Sequence, residues 1–328
     1  MRGGALKGTA LVTGASGFLG RPLVAALLAQ GRPVVALCRN PESLADLRHP
    51  ALRVAAGDLR DPAAWAPLLP PDGSVFHLAS VRNQPRSRVR EMEEVNVAAT
   101  LALARAAGER GVAKFVHVAT ALIYGPAEGE RARSEEDDLD FSSSYVRSKA
   151  EAVLGLRALV HEGLPAVTVC PSIVFGPDHP SRPNRVTSEI RRLLRGGPRI
   201  WLAGGRQRRD LVFVDDVIGG LLAAEERGAV GEEYILGGEA VSPWELGRRV
   251  GGGIALPLPA GAALGIAGIV DRLRRNDPGA GYATAVRNLL REWRFDSGKA
   301  RRKLGYQPMP LMEGLARTID WLQSMEGR

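Results

Sequence analysis

A doubly wound parallel sheet, an α/β fold with helices on both faces, is what this 328-residue sequence predicts. Three observations predict it. Short β-rich runs alternate with longer helical patterns through the first half of the chain. Their apolar stretches are continuous instead of alternating, as strands covered on both faces require. The first strand runs straight into a glycine-spaced turn, Thr13-Gly14-Ala15-Ser16-Gly17-Phe18-Leu19-Gly20.

In chain order, Thr9–Thr13 reads as a strand, Phe18–Gln30 as a helix and Pro33–Cys38 as the next strand. Leu52–Ala56, Ser74–Leu78 and Lys114–Ala119 follow as strands, each reached through a helical crossover. A helix over Ser143–Glu162 leads to a sixth strand, Ala166–Cys170. Beyond Pro171 proline and glycine become frequent and the segments shorten. Leu211–Val214, followed by Asp215-Asp216, reads as a strand running into a helix capped by an aspartate, and Tyr234–Leu236 as another strand. From Ser242 the chain reads as mainly helical, closing with an amphipathic helix over Leu311–Leu322.

Hydrophobic content of 45% and charged content of 24% are ordinary for a soluble globular protein. The net charge of +8 raises the question of nucleic acid, but the basic residues form no block and aromatics are only 5%. No nucleic-acid partner is expected. Many of the arginines (Arg182, Arg185, Arg191, Arg192, Arg195, Arg199, Arg206, Arg208 and Arg209) read as a solvated basic face. Cys38 and Cys170 each lie in an apolar run and are expected as buried thiols. The five histidines show no metal-ligand spacing, so no metal is expected. The start of the chain lacks a signal-peptide pattern, and Leu258 to Val270 is too short and interrupted to span a bilayer. A cytoplasmic protein is expected.

Gly14, Gly17 and Gly20 have a physical reason. A tight turn needs a residue without Cβ, the backbone must approach a pyrophosphate closely, and the helix must pack on the strand. The free N–H groups of that helix then face the phosphates. Gly14, Gly17, Phe18, Leu19 and Gly20 are therefore expected to hold a dinucleotide. Its identity turns on the end of the second strand, Ala36-Leu37-Cys38-Arg39-Asn40, which has no acid to bind a ribose 2′-hydroxyl. Arg39 suits a 2′-phosphate, favouring NADP(H) over NAD(H). Asp58, followed by Leu59, is placed to accept from the adenine amino group or to cap a helix starting near Asp61. Residues 1–170 with about 211–236 read as the nucleotide-binding domain, and about 171–210 with 237–328 as a smaller, mostly helical substrate domain.

The chemistry falls on Tyr145 and Lys149, four residues apart on one helical face. A phenol with a pKa of ~10 is a poor base at neutral pH, and a nearby ammonium lowers it. Thr120, at the end of the fifth strand, offers a hydroxyl to hold a substrate oxygen beside Tyr145.

With those residues goes a set of motifs: TGASGFLG at 13–20, GDL at 57–59, HLAS at 77–80, VNVAAT at 95–100 and VHVATALIYGP at 116–126. YVRSK at 145–149, CPSIVFGP at 170–177, RRDLVFVDDV at 208–217, GEEYILGG at 231–238 and DSGKARRKLGYQP at 296–308 complete it. Together they resemble the extended short-chain dehydrogenase/reductases, the NAD-dependent epimerase/dehydratase superfamily with a Rossmann fold, over nearly the whole chain. The resemblance implies Thr120, Tyr145 and Lys149 as the catalytic triad, with Leu78, Ala79 and Pro171 along the cofactor. It implies a structural or water-relay role for Asn96, and a homodimer packed through helices like 88–110 and 143–161. Cys170 departs from the pattern, because many sugar-nucleotide members carry arginine there.

Function divides accordingly. VVALCRNPESL at 34–44 and LPLPAGAALGIAGIVDRL at 256–273 resemble the dihydroflavonol reductase and 3β-hydroxysteroid dehydrogenase branch. That implies reduction of a ketone, or oxidation of a secondary alcohol, on a small hydrophobic molecule. The 256–273 segment would add an apolar wall, a packing helix or a membrane-surface contact. Arg209-Asp210 points instead to a nucleotide-sugar epimerase or dehydratase, with the arginine on a substrate diphosphate or else paired with Asp210 or Asp215. Ser80, Tyr124 and Arg209 are the expected substrate contacts. A non-catalytic cofactor-binding subunit is the third reading, opposed by the intact Thr120, Tyr145 and Lys149.

Overall fold

Ala10–Thr13 (β1) is an interior strand of a parallel seven-stranded sheet, with apolar residues on both of its faces. The computed structural model describes residues 8–82, 89–178, 184–196, 199–251, 255–274 and 281–326; Arg182, counted above with the basic face, falls outside them. Gly20–Ala29 (α1) follows β1, then Val34–Cys38 (β2) and Leu52–Ala56 (β3). The expected helix between β2 and β3 is instead a single 3-10 turn, Pro41–Leu44, closed by the Asn40 side chain on the Glu42 amide. Pro41 and Pro50, one near each end of the connection, confine it to short turns.

Pro62–Trp65 (α2) and Ser74–His77 (β4) come next. Val89–Met92 (α3) runs through a π-helical turn, Glu93–Ala99, into Thr100–Glu109 (α4). Lys114–Val118 (β5), Ser144–His161 (α5) and Ala166–Pro171 (β6) complete the first half. The sheet order is β3-β2-β1-β4-β5-β6, with one later strand beyond β6. The order reverses between β1 and β4, where Ala10–Thr13 register with Ser74–His77. A parallel sheet opens a crevice at the carboxyl end of such a switch point.

Ile173–Phe175 (β7), Arg185–Leu194 (α6) and Arg199–Leu202 (β8) follow, then Arg209–Phe213 (β9), Val214–Arg227 (α7), Glu233–Leu236 (β10) and Glu239–Val241 (β11). β10 is the seventh strand of the main sheet, parallel to β6. The run expected over Leu211–Val214 belongs elsewhere: as β9 it pairs with β7 and β11 in a separate three-stranded sheet. No aspartate caps the helix after it: α7 already starts at Val214, so Asp215 and Asp216 fall inside its first turn. The remaining elements are Pro243–Val250 (α8), Ala255–Leu258 (β12), Ala260–Arg274 (α9), Tyr282–Leu289 (α10), Gly298–Leu304 (α11) and Leu311–Glu326 (α12). β12 pairs with β8, so this part is helical around two small sheets.

Leu23, Leu27, Val217 and Leu221 of α1 and α7 cover one face of the large sheet. Leu103, Ala107, Leu156 and Leu159 of α4 and α5 cover the other. Phe175, Ile190, Phe213 and Leu315 form the core of the second part. One buried carboxylate joins the two sheets: Asp210 on β9 accepts from the Ser172 hydroxyl (2.6 Å) and the Gly238 amide (2.7 Å). Ser172 lies between β6 and β7, and Gly238 between β10 and β11. Cys38 and Cys170 are buried free thiols, and no helix among the described residues is long and apolar enough to cross a membrane.

Candidate active site

The turn after β1 brings the glycines together. Gly14 takes a φ of +67°, Gly17 donates its amide to the Gly14 carbonyl at 2.9 Å, and α1 begins at Gly20. A Cβ on Gly14 would lie 2.7 Å from the Ala79 amide nitrogen, and one on Gly20 would overlap the Gly14 carbonyl oxygen. The first turn of α1 carries no acid. A cradle without side chains, capped by free helix amides, fits a dinucleotide pyrophosphate. Leu78 and Ala79 stand opposite, held by a chain of bonds. Thr13 Oγ1 meets His77 Nδ1 (2.7 Å) and accepts from the Ala79 amide (3.3 Å), while His77 Nε2 meets Thr100 Oγ1 (2.9 Å). Burial, with the Lys149 charge, presses the His77 pKa down to about 3, so the ring is a neutral peg. The HLAS motif contained this histidine, but periodicity carries no sign of its partners.

At the other end of the crevice Arg39 stands exposed after β2. Asp58 is held by Arg60, with Nε on Oδ1 (3.0 Å) and Nη2 on Oδ2 (2.8 Å), which draws its pKa down to about 2. Arg39 adds to that depression from a distance. Asp61, not Asp58, caps α2 through the Ala63 amide. Leu59 is buried beneath. Arg60 was not foreseen.

Tyr145 stands in the first turn of α5, which Ser143 caps on the Val146 amide. Burial raises the phenol pKa, opposed by the Arg82 charge and a hydrogen bond with the Ser80 hydroxyl. The expected lysine does not supply that opposition here: Lys149 Nζ donates to the Val118 carbonyl at the end of β5, 2.7 Å away. Thr120, two residues on, accepts from the Leu122 amide (3.4 Å) and caps the 3-10 turn Ala121–Tyr124. Asn96, in the π-helical turn, fixes the Ser80 side of the site. Its Oδ1 accepts from the Val81 amide (2.7 Å), and its Nδ2 donates to the Val81 carbonyl and to Ser148 Oγ (both 3.0 Å). Pro171 ends β6 opposite Leu236.

Burial drops the Lys149 pKa from 10.5 to about 8. The sign follows from linkage: between about pH 8 and pH 10.4 the unfolded chain holds a proton that the folded one releases, so stability rises with pH there. Below pH 8 the buried ammonium costs about 3 kcal/mol, partly offset by ~1 kcal/mol from its hydrogen bond. Lys149→Met is therefore expected to be about 2 kcal/mol more stable than the parent at pH 7. The gap should close by about pH 10 in urea unfolding curves; a variant less stable at pH 7 would contradict the burial argument.

Two expected substrate contacts diverge. Tyr124 is 1% exposed, and its hydroxyl donates to Glu233 Oε2 at 2.5 Å within the core beside α5. Arg209 does reach a cavity, of about 320 Å³, walled by Arg185 and Arg192 of α6, Trp201 and Leu202 of β8, and Leu289 of α10. Its Nη2 donates to the Leu289 carbonyl (3.4 Å), and among the described residues its buried Nε has no acceptor. Asp210, the partner once considered for it, is engaged with Ser172 and Gly238. Arg185 and Arg192, read from sequence as part of a solvated face, share this cavity with Arg209 and Glu189.

Residues 10–237 match the family model described as NAD dependent epimerase/dehydratase family. A dTDP-glucose 4,6-dehydratase of Streptomyces griseus is 34% identical over 95% of this chain and 93% of its own. Sterol demethylase protein B of Methylococcus capsulatus is 30% identical over 96% and 98%. Among solved structures, DesIV, a dTDP-glucose 4,6-dehydratase from Streptomyces venezuelae with NAD and TYD bound, superposes with a TM-score of 0.78 at 28% identity, covering 97% of this chain and 98% of that one. The chain belongs to the NAD-dependent epimerase/dehydratase family of extended short-chain dehydrogenases/reductases.

Proposed function

We propose that this protein is a cytoplasmic NAD(P)-dependent oxidoreductase that moves a hydride reversibly at a secondary alcohol of a nucleoside-diphosphate sugar, in the manner of an epimerase. The arginine-walled cavity carries the reading. Half-buried Arg209 has an N–H without an acceptor, and Arg185 and Arg192 flank it beside the flat face of Trp201. Guanidinium groups suit a diphosphate and an indole suits a base. The relative and the neighbour named for dTDP-glucose support the same substrate class. The reading displaces the hydrophobic ketone expected from residues 256–273.

When bound, the nicotinamide supplies the hydride acceptor and donor. Thr120 orients the substrate oxygen, and Tyr145 takes its proton as the C–H hydride departs, returning it on reduction. Ser80 and Arg82 favour the phenolate, and Lys149, four residues along the same helix, would hold the cofactor ribose when the cofactor is bound. Eliminating water would need a further carboxyl acid for the departing hydroxyl. Ala121 and Leu122, which follow Thr120, supply no such acid.

Arg209→Ala is expected to raise the KM for UDP- or dTDP-glucose about ten- to hundredfold with kcat little changed, the loss of a charge-assisted hydrogen bond. An unchanged KM would remove the diphosphate from this cavity. Consumption of NADPH with hydrophobic ketones, and no sugar-nucleotide turnover, would restore the second reading, which the likeness to sterol demethylase protein B favours.

Arg39 supports NADP(H) over NAD(H). The expected result is a lower Kd for NADP than for NAD in calorimetric titration, with the difference erased in Arg39→Ala; equal values in the parent would refute the preference. A homodimer packed through 88–110 and 143–161, which the family resemblance implies, belongs to the same reading.

A further inference from the structure

We propose that the β12–α9–α10 hairpin docks on an anionic lipid surface, with α9 lying in the interfacial plane. α9 packs on α10 through buried Ala263 and Ala267, and presents Ile266, Ile269 and Leu273 to solvent at 58%, 60% and 79% exposure. Steps of three and four residues set those side chains in one stripe along the helix. Leu256 on β12, 52% exposed, lies in the adjoining strand. Single exposed leucines are ordinary on a protein surface, whereas an aligned apolar stripe marks a contact. At 15 residues α9 is too short to span a bilayer and suits lying in one.

Charge selects lipid over a protein partner. The described residues from 243 to 291 carry Arg248, Arg249, Arg272, Arg274, Arg287 and Arg291 against two carboxylates, Glu245 and Asp271. Both carboxylates are engaged. Asp271 accepts from the Tyr282 and Ala283 amides at 2.7 Å each, and Glu245 from the Ser242 amide (2.9 Å) and Arg208 (2.7 Å). Arg249 pairs with Glu239, which leaves the region strongly basic. Trp244, 41% exposed with the Arg248 guanidinium 4.8 Å from its ring centroid, belongs to the same end, because α8 and β12 share the 203–205 turn as a neighbour. An apolar stripe rimmed by arginine, with an indole nearby, matches acyl chains beneath phosphates. The hairpin also adjoins the cavity wall: Pro257 and Leu258 register with Trp201 and Leu202, and α10 ends at Leu289.

The test is co-sedimentation of the full chain with phosphatidylcholine vesicles and with mixed phosphatidylcholine/phosphatidylglycerol vesicles, alongside light scattering without lipid. The chain is expected to pellet with the mixed vesicles only, and less so as salt rises. Ile269→Asp combined with Leu273→Asp should weaken binding tenfold or more, and Arg272→Glu roughly fivefold or more. Unchanged thermal midpoint and NAD affinity in these variants would show that they fold. Failure of the parent to pellet, or equal binding to both vesicle types, overturns the proposal. A mass in solution that the Asp variants halve, without lipid binding, assigns the stripe to a second copy of the chain and overturns it as well.

Discussion

Tyr145→Phe is expected to lower turnover by about two to four orders of magnitude, the usual worth of a positioned acid–base group. The substitution removes one hydroxyl from a half-buried ring, leaving its packing beneath the Ser143 cap intact. Binding of NADH or NADPH, followed by dihydronicotinamide fluorescence, should change less than about threefold, since the Gly14 cradle and the Ala79 strand end are untouched. Equal falls in kcat and kcat/KM would place the lost interaction in the transition state. Residual activity within about tenfold of the parent would instead hand the proton to another group, with Ser80, the phenol's hydrogen-bond partner, first in line.

Gly20→Ala carries the second large effect. An added methyl at that position meets the Gly14 carbonyl oxygen and the Ala15 backbone, neither of which is a flexible side chain that could turn away. The turn must open, at the upper end of the ~1–3 kcal/mol typical of overpacking, and the amides aimed at the phosphates move with it. Cofactor affinity should fall by about a hundredfold or more, in line with the few kcal/mol that a phosphate cradle contributes through charge-assisted bonds. Gly31→Ala is the control. Its φ is +72° and its surroundings are open, so it brings left-handed strain of about 1–2 kcal/mol with cofactor affinity intact. Calorimetric titration beside thermal unfolding separates the two variants; equal affinities would mean that the turn tolerates a methyl.

Legibility followed locality. β1 to β6 lie within a residue or two of their expected limits; for all but the edge strand β3 the reason is burial, because strands covered on both faces announce themselves in any short window. β9 found the wrong sheet for the opposite reason. Its partners Ile173–Phe175 and Glu239–Val241 are three-residue strands far away in sequence, and no window contains such a pairing. The π-helical turn at Glu93–Ala99 was also hidden, since one slipped hydrogen bond barely alters an apolar period. In the site, Gly14 and Gly20 were readable because a missing Cβ is itself a statement about space. The acceptor chosen by Lys149 was not, because four flexible methylenes let the fold choose among several carbonyls. Arg185 and Arg192 looked like a wet face for a similar reason: only the placement of β8 and of the end of α10 across from α6 turns their side of the helix into a cavity wall.

Asp210 has a mechanical meaning. The chain leaves the seven-stranded sheet for the three-stranded one at Ser172 and again at Gly238, and both departures are tied to the same buried oxygen, Oδ1. A hinge between the sheets would have to break both bonds at once. The tie lies one residue from the cavity's Arg209 and one from Pro171, the last residue of β6.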